Sequence, residues 1–230
     1  MIFDYGGTLD TGGQHWGQVF WHAYERHHLP VTEAQFREAY VHAERMLGRN
    51  PIIRPDFTFR QTLEKKLQLQ LEFLELENEE YRETILEDLY GRTVDQTSKS
   101  RKVLQALKGR GLPLVLVSNF YGNMPVVLRE FGFDGFFLQV IESAVVGIRK
   151  PDPRIFLLGV EALGLKPEEV MVVGDSLDKD IIPAVEAGCQ TVWLRGEGWN
   201  ARCDERIKRP VPVIDSLDEL LKMVEKKYTT

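Results

Sequence analysis

The sequence predicts an α/β fold, a Rossmann-like three-layer parallel sheet with a helical domain inserted into it. Three observations support this. In the second half, short β-branched apolar runs alternate with amphipathic helical patterns, the signature of a parallel sheet clothed by helices. Those runs are continuously apolar, as strands covered on both faces must be. Finally, roughly 110 residues separate the first apolar run from the next, where a simple βαβ unit takes about 30, so the chain makes a long excursion before the sheet resumes.

The first strand is "MIF", ending at Asp4. Strands usually run about 5–6 residues, so either this one is unusually brief or the natural chain begins upstream of Met1. Helical patterns follow at Gln14 to His28, Thr32 to Leu47, Phe57 to Leu71 and Leu76 to Tyr90, with Thr32 and Gln35 placed for a capping box. These define a helical cap over 13–94 and an α/β core of 1–12 and 95–230. The charge-rich "LEKKLQLQLEFLELENEEYRE" spans too few heptads for a coiled coil and reads as a solvated helix face. The sheet then resumes with "LPLVLVSN" (Leu112 to Asn119), "VMVVGDS" (Val170 to Ser176) and "TVWL" (Thr191 to Leu194). Helical patterns at Met124 to Phe131, Pro153 to Leu163 and Asp180 to Ala187 separate them, the last stopped by Gly188. A final helix opens at "SLDE", where Ser216 and Glu219 suit a capping box.

With 230 residues, 43% hydrophobic and 28% charged, the chain has an ordinary globular composition. A net charge of -6 and a pI near 5.5 argue against a nucleic-acid partner, which needs a basic face. A small phosphorylated ligand needs only one or two local cations. Cys189 and Cys203 lack metal-like spacing and read as buried or idle thiols of a reducing compartment. No run approaches the roughly 20 apolar residues of a membrane span, and no leader pattern precedes Asp4. A cytoplasmic location without a membrane partner is expected.

In open parallel sheets ligands bind beyond the carboxyl ends of the strands. The residues there are Asp4 after the first run, Ser118 and Asn119 after the second, and Gly174, Asp175 and Ser176 after the third, with Asp178 and Asp180 close behind. "RKPDP" adds Lys150 just before a helix start. Each alone has a bland role: a strand-end Asp caps a turn, Ser118 is unremarkable, Lys150 is a surface charge, and clustered acids favour a helix N-terminus. Their coincidence at one sheet edge argues for a site.

Four stretches in order, "FDYGGTLD", "VLVSN", "RKPDP" and "VVGDSLDKDI", resemble the signatures of the haloacid dehalogenase (HAD) superfamily, dominated by phosphohydrolases. The insert resembles that family's C1-type cap in position and helicity. The resemblance implies a phosphatase in which Asp4 is the nucleophile, forming an aspartyl-phosphate. It also implies Mg²⁺ held by Asp4, the backbone carbonyl of Gly6 and Asp175, assisted by Asp180. Lys150 would neutralise the clustered carboxylates and phosphoryl oxygens. Ser118, with Asn119 and nearby backbone N–H groups, would bind the phosphoryl group. The substrate implied is a small phosphorylated metabolite.

The chain departs from this pattern at Gly6, where family phosphatases carry an acid–base Asp. Such a group is worth roughly 10²–10⁴ in rate. Three explanations compete: a substrate whose leaving group needs no proton there, another proton donor such as His15, or a non-catalytic phosphate- or partner-binding protein. Phosphonatase-like members also lack the Asp but use a cap lysine as Schiff base, and here Lys65 and Lys66 are expected on an exposed face. Dehalogenase-like members work without metal, whereas the acidic "GDSLDKD" favours Mg²⁺. Trp16, Trp21, His22, Arg45, Arg49 and Arg54 are candidate cleft residues, with core packing of the tryptophans and solvated arginines the simpler expectation. Gly12 and Gly13 suit a hinge or a turn. The loop Arg195 to Pro210 is expected to border the cleft or to move.

Overall fold

The computed structural model describes residues 1–199 and 210–228. Its strands are β1 (Ile2–Phe3), β2 (Val115–Ser118), β3 (Gln139–Glu142), β4 (Met171–Gly174), β5 (Gln190–Leu194) and β6 (Val213–Ile214). They form one six-stranded sheet in the order β3-β2-β1-β4-β5-β6, with every pairing parallel. The order reverses direction at β1, and such a switch point opens a crevice at the carboxyl ends of the strands around it.

The brevity of β1 is partly one of assignment. Val115 donates to the Met1 carbonyl at 2.9 Å and Asp4 donates to Val173 O at 3.0 Å, so ladder bonds run from Met1 to Asp4. Successive side chains point to opposite faces. Ile2 joins a cluster with Val115, Ile155 and Phe156, and Phe3 joins the larger core beneath the helical insert. With neighbours on both sides, the fully buried Ile2 and Phe3 need no length to be held.

The insert contributes α1 (Trp16–Arg26), α2 (Glu33–Arg49), α3 (Phe59–Phe73) and the start of α4 (Glu79–Gly109). Their starts are chemically specified. His15 caps α1, Thr32 with Gln35 and Thr58 with Gln61 form capping boxes on α2 and α3, and Asn78 caps α4. The charge-rich stretch is two helices divided near Glu75, which has φ 55°. Its face is not wholly solvated: Leu63, Lys66, Leu67, Gln70 and Leu71 are buried. The expectation that Lys66 is exposed is therefore corrected, since an i, i+4 stripe with Thr62 and Gln70 turns it inward.

The helix α4 has 31 residues and runs unbroken through 94–95, the boundary read from the sequence. Its middle is rich in Thr and Ser, which weakens a helical reading. Here those hydroxyls bond backwards: Thr93 to Leu89 O at 3.0 Å and Thr97 to Thr93 O at 2.7 Å. Ser100 reaches across to Leu9 O at 2.7 Å, tying this helix to the loop after β1.

The remaining helices are α5 (Met124–Glu130), α6 (Ser143–Val146), α7 (Arg154–Leu163), α8 (Ile182–Glu186) and α9 (Glu219–Tyr228). Strands β3 and β6 escape a sequence reading because both lie at sheet edges. β3 is apolar-buried only in its second half, and β6 has two residues beside prolines. At α9, Glu219 accepts the Ser216 N–H at 3.2 Å, its half of the expected box. Cys189 is buried beneath the sheet; Cys203 and most of the loop after Trp199 lie outside the described residues. Among the described residues no helix is long and apolar enough to cross a membrane.

Candidate active site

Asp4 at the end of β1, Ser118 at the end of β2 and Asp175 just after β4 border one cavity with Gly6, Asn119, Lys150 and Asp180. The tertiary structure thus brings every sequence-predicted site residue to one place. Carboxylate oxygens of Asp4, Asp175 and Asp180 all lie within 4.8 Å of one another. Lys150 joins two of them, its Nζ 2.5 Å from Asp4 Oδ1 and 2.6 Å from Asp180 Oδ1.

Two glycines make this density possible. Gly7 has φ +100°, and a Cβ there would lie 2.4 Å from Asp175 Oδ1; a Cβ on Gly174 would lie 2.4 Å from that of Asp180. The turn after β4 is a π-helical turn, Leu177–Ile181. Ser176 N donates to Asp180 Oδ2 at 3.0 Å, and the Ser176 hydroxyl accepts Lys179 N at 3.2 Å. That winding turns Asp180 back over the strand end, while Asp178 faces outward.

Thr8, unassigned from the sequence although it sits in the first signature, connects two of the acids. Its hydroxyl lies 3.0 Å from Asp4 Oδ2 and 3.1 Å from Asp175 Oδ1, and accepts the Asp175 N–H at 3.1 Å. Trp193 fixes the opposite side of Asp175, donating to its carbonyl at 2.8 Å. Asn119 is committed to the Lys150 main chain: Nδ2 donates to Lys150 O at 3.0 Å and Oδ1 accepts Lys150 N at 2.9 Å. The side chain expected to bind substrate lines the cavity and also holds the main chain of Lys150 in place.

Burial raises the Asp4 carboxyl to about 6, against the opposing pull of Lys150. Burial together with Asp180 and Asp4 lifts Asp175 well above the usual carboxylate range. For Lys150, burial works against the charge, but Asp180 and Asp4 outweigh it and raise its pKa. One ammonium thus bonds two of three clustered acids, and among the described residues Asp175 accepts only the Thr8 hydroxyl. A largely buried, under-compensated set of hard oxygen donors fits a divalent cation such as Mg²⁺.

At Gly6 there is room. A Cβ would find its nearest neighbour, Trp16 Cδ1, at 4.0 Å. Trp16 is held there by its indole N–H, which donates to Asp10 Oδ2 at 2.8 Å, while Asp10 Oδ1 accepts the Gly7 N–H at 2.7 Å. His15 also lines the cavity, but Nδ1 accepts Gly17 N at 2.9 Å, and burial lowers its pKa to about 4. It is neutral at neutral pH and cannot supply a proton as an imidazolium.

The helical wall holds an ion pair that sequence reasoning missed. Lys66 Nζ lies 2.7 Å from Glu44 Oε1, and Tyr121 OH donates to Glu44 Oε2 at 3.1 Å. Burial disfavours the Lys66 charge, yet Glu44 outweighs it and lifts its pKa well above the ordinary value. An amine held protonated is a poor Schiff-base nucleophile. The i, i+4 inward stripe of α3 was the available signal. Of the other cleft candidates, Trp21 packs against Phe36, His22 pairs with Glu25 and Glu197, and Arg45, Arg49 and Arg54 are exposed. Gly12 and Gly13 belong to a turn closed by Gly13 N to Gly7 O at 2.7 Å. The described start of the long loop leans on the insert, with Trp199 stacked 5.0 Å from Tyr40 and 5.4 Å from His15.

Comparison with known proteins places the fold and the family. The chain is 40% identical over 103 residues to a glyceraldehyde 3-phosphate phosphatase of Methanopyrus kandleri, covering 41% of this chain and 44% of that protein. Against archaeal phosphatases of that name the match spans 44% to 56% of their length. It is 33% identical over 199 residues to a phosphoglycolate phosphatase of Vibrio vulnificus, covering 84% of this chain and 81% of that one. The fold is shared with an L-2-haloacid dehalogenase from Xanthobacter autotrophicus, with TM-score 0.63, 20% identity and 97% of both chains covered. Residues 1–188, which include all four strand-end signatures, match the haloacid dehalogenase-like hydrolase family, and the chain belongs to that family.

Proposed function

We propose that this chain is a Mg²⁺-dependent phosphohydrolase acting on a small phosphorylated metabolite through an aspartyl-phosphate on Asp4. The observation that supports this most is the cluster of Asp4, Asp175 and Asp180 at the switch point of the sheet, with buried Lys150 bridging Asp4 and Asp180. In this reading 13–94 is the cap and 1–12 with 95–230 the core, with α4 shared between them.

Asp4 beside Lys150 is ionised at neutral pH and attacks phosphorus as the bond to the leaving oxygen breaks; water then hydrolyses the acyl phosphate. Lys150 and Ser118 face the transferring phosphoryl oxygens, and Asn119 positions Lys150. Asp4, the Gly6 carbonyl, Asp175 and Asp180 would hold Mg²⁺, which supplies charge neutralisation at the phosphoryl group. Thr8 orients Asp4 and Asp175 against one another. Without a carboxyl group at position 6, the leaving oxygen departs without an acid from this strand end, so esters with good leaving groups turn over faster than alkyl monoesters.

The names of the relatives supply the first substrates, glyceraldehyde 3-phosphate and phosphoglycolate. Phosphate release would be measured from these, acetyl phosphate, p-nitrophenyl phosphate and sugar phosphates, in Mg²⁺ and in EDTA. Turnover that needs both Mg²⁺ and Asp4 is expected, and its absence from the whole panel sinks the proposal. Gly6 favours one alternative, a phosphate-binding protein without turnover, for which Mg²⁺-dependent binding and no release would be found.

A further inference from the structure

The wall opposite the carboxylates has no part in the chemistry just described, yet it is built as carefully. Glu44 from α2, Lys66 from α3 and Tyr121 from the loop after β2 meet on the same cavity as Asp4. The Lys66 side chain is 11% exposed and that of Glu44 31%, so the pair is sunk in the wall while both residues line the cavity. Both groups are charged: Lys66 and Tyr121 hold Glu44 below its usual range despite its burial, and Lys179 adds to that field.

The cavity measures about 110 Å³. On this measure one water needs roughly 10–15 Å³, so beside a phosphoryl group there is space for a small leaving group. Hydrogen-bonding capacity remains on the wall. An ammonium has three donors and a carboxylate about four acceptor positions, of which the pair itself and Tyr121 take only part. A neutral hydroxyl can bridge these free positions and leave the pair intact. A carboxylate in the same place meets the like charge of Glu44, or must pull Lys66 away from it and leave a partly buried anion unpaired.

We infer that the Glu44–Lys66 pair is a specificity determinant that selects small phosphate monoesters whose leaving group is uncharged and hydroxylated, and rejects those carrying a carboxylate. This rests on the phosphohydrolase reading for the seat of the phosphoryl group, and it divides the two relatives' substrates: the hydroxylated aldehyde fits and the carboxylate does not.

The test is isothermal titration of the full chain in Mg²⁺ with two non-hydrolysable phosphonates, the analogues of glycerol phosphate and of phosphoglycolate. The wild-type protein should bind the glycerol analogue about tenfold or more tightly. Glu44→Gln keeps shape and hydrogen bonds but frees the Lys66 charge, and should shift the ratio toward the carboxylate by about ten- to a hundredfold, the range of one charged hydrogen bond. Lys66→Gln should shift it the other way, and serves if the first variant does not fold. A wild-type preference for the carboxylate, or a ratio indifferent to both substitutions, overturns the inference. Turnover of the esters with an unmoved ratio sinks this inference alone. The expected binding ratios without turnover sink the phosphohydrolase reading alone. No binding of either phosphonate sinks both.

Discussion

The two walls of the cavity place similar charges to different ends. On the sheet side, Lys150 bridges Asp4 and Asp180 while Asp175 stands beside them without an ion pair to it, an excess of negative charge suited to a cation. On the helical side, one acid and one lysine are matched within 2.7 Å and the wall is neutral. Excess charge suits chemistry that moves charge, whereas a balanced pair suits recognition of a leaving group that carries none. The walls also differ in rigidity of origin: the first is fixed by strand ends and glycine-tight turns, the second by the packing of separate helices.

The largest effect is expected from the sheet side. Asp4→Asn removes the proposed nucleophile and should lower phosphate release by roughly 10⁴–10⁶, measured in the steady state; residual activity within tenfold of wild type would break the assignment. Next comes Gly6→Asp, which the open space at Gly6 accommodates. It should raise hydrolysis of alkyl monoesters by roughly 10²–10⁴ and of acetyl phosphate much less. An unchanged alkyl rate would show that the missing acid does not limit the reaction.

Lys150→Met sharpens the contrast through stability. Leaving Asp4 and Asp180 buried without their cation should cost about 3–5 kcal/mol in urea unfolding with EDTA, and less in saturating Mg²⁺. An equal loss in both media would argue that no cation binds the triad.

The smallest effect lies between the walls, at His15, whose folded pKa of about 4 is below its ordinary 6.5. Between those values the unfolded chain binds the proton and the folded one does not. Stability from this group is therefore complete above 6.5 and is lost as pH falls toward 4. His15→Asn keeps an N-cap and should flatten that slope by on the order of 2 kcal/mol, read from urea midpoints across the range. A wild-type slope as flat as the variant's would contradict the buried neutral imidazole.

How much of this was legible in the sequence differs by wall. Asp4, Ser118, Lys150, Asp175 and Asp180 follow apolar runs or sit in short signatures, and the parallel sheet itself delivers strand ends to one edge. Thr8 lay inside such a signature but its role needed the distance to Asp175. Asn119 was placed correctly at the strand end, but only the fold shows its amide bonded to the Lys150 main chain where it borders the cavity. Lys66 was misread because it sits in the charged run "EKK" of a charge-rich stretch, and a charge's direction depends on which helix face the neighbours cover.

By itself, the sequence determined the α/β class, the helical excursion and which polar residues stand at the strand ends, since apolar continuity, caps and turns are local and the parallel topology does the rest. The tertiary structure alone decided that α4 runs on through the expected boundary, that Lys66 turns inward to Glu44, and that Gly6 leaves open space beneath Trp16. Those outcomes depend on which distant surfaces meet, and a pair such as Glu44 and Lys66 leaves no local pattern because each partner is unremarkable until the other is brought against it.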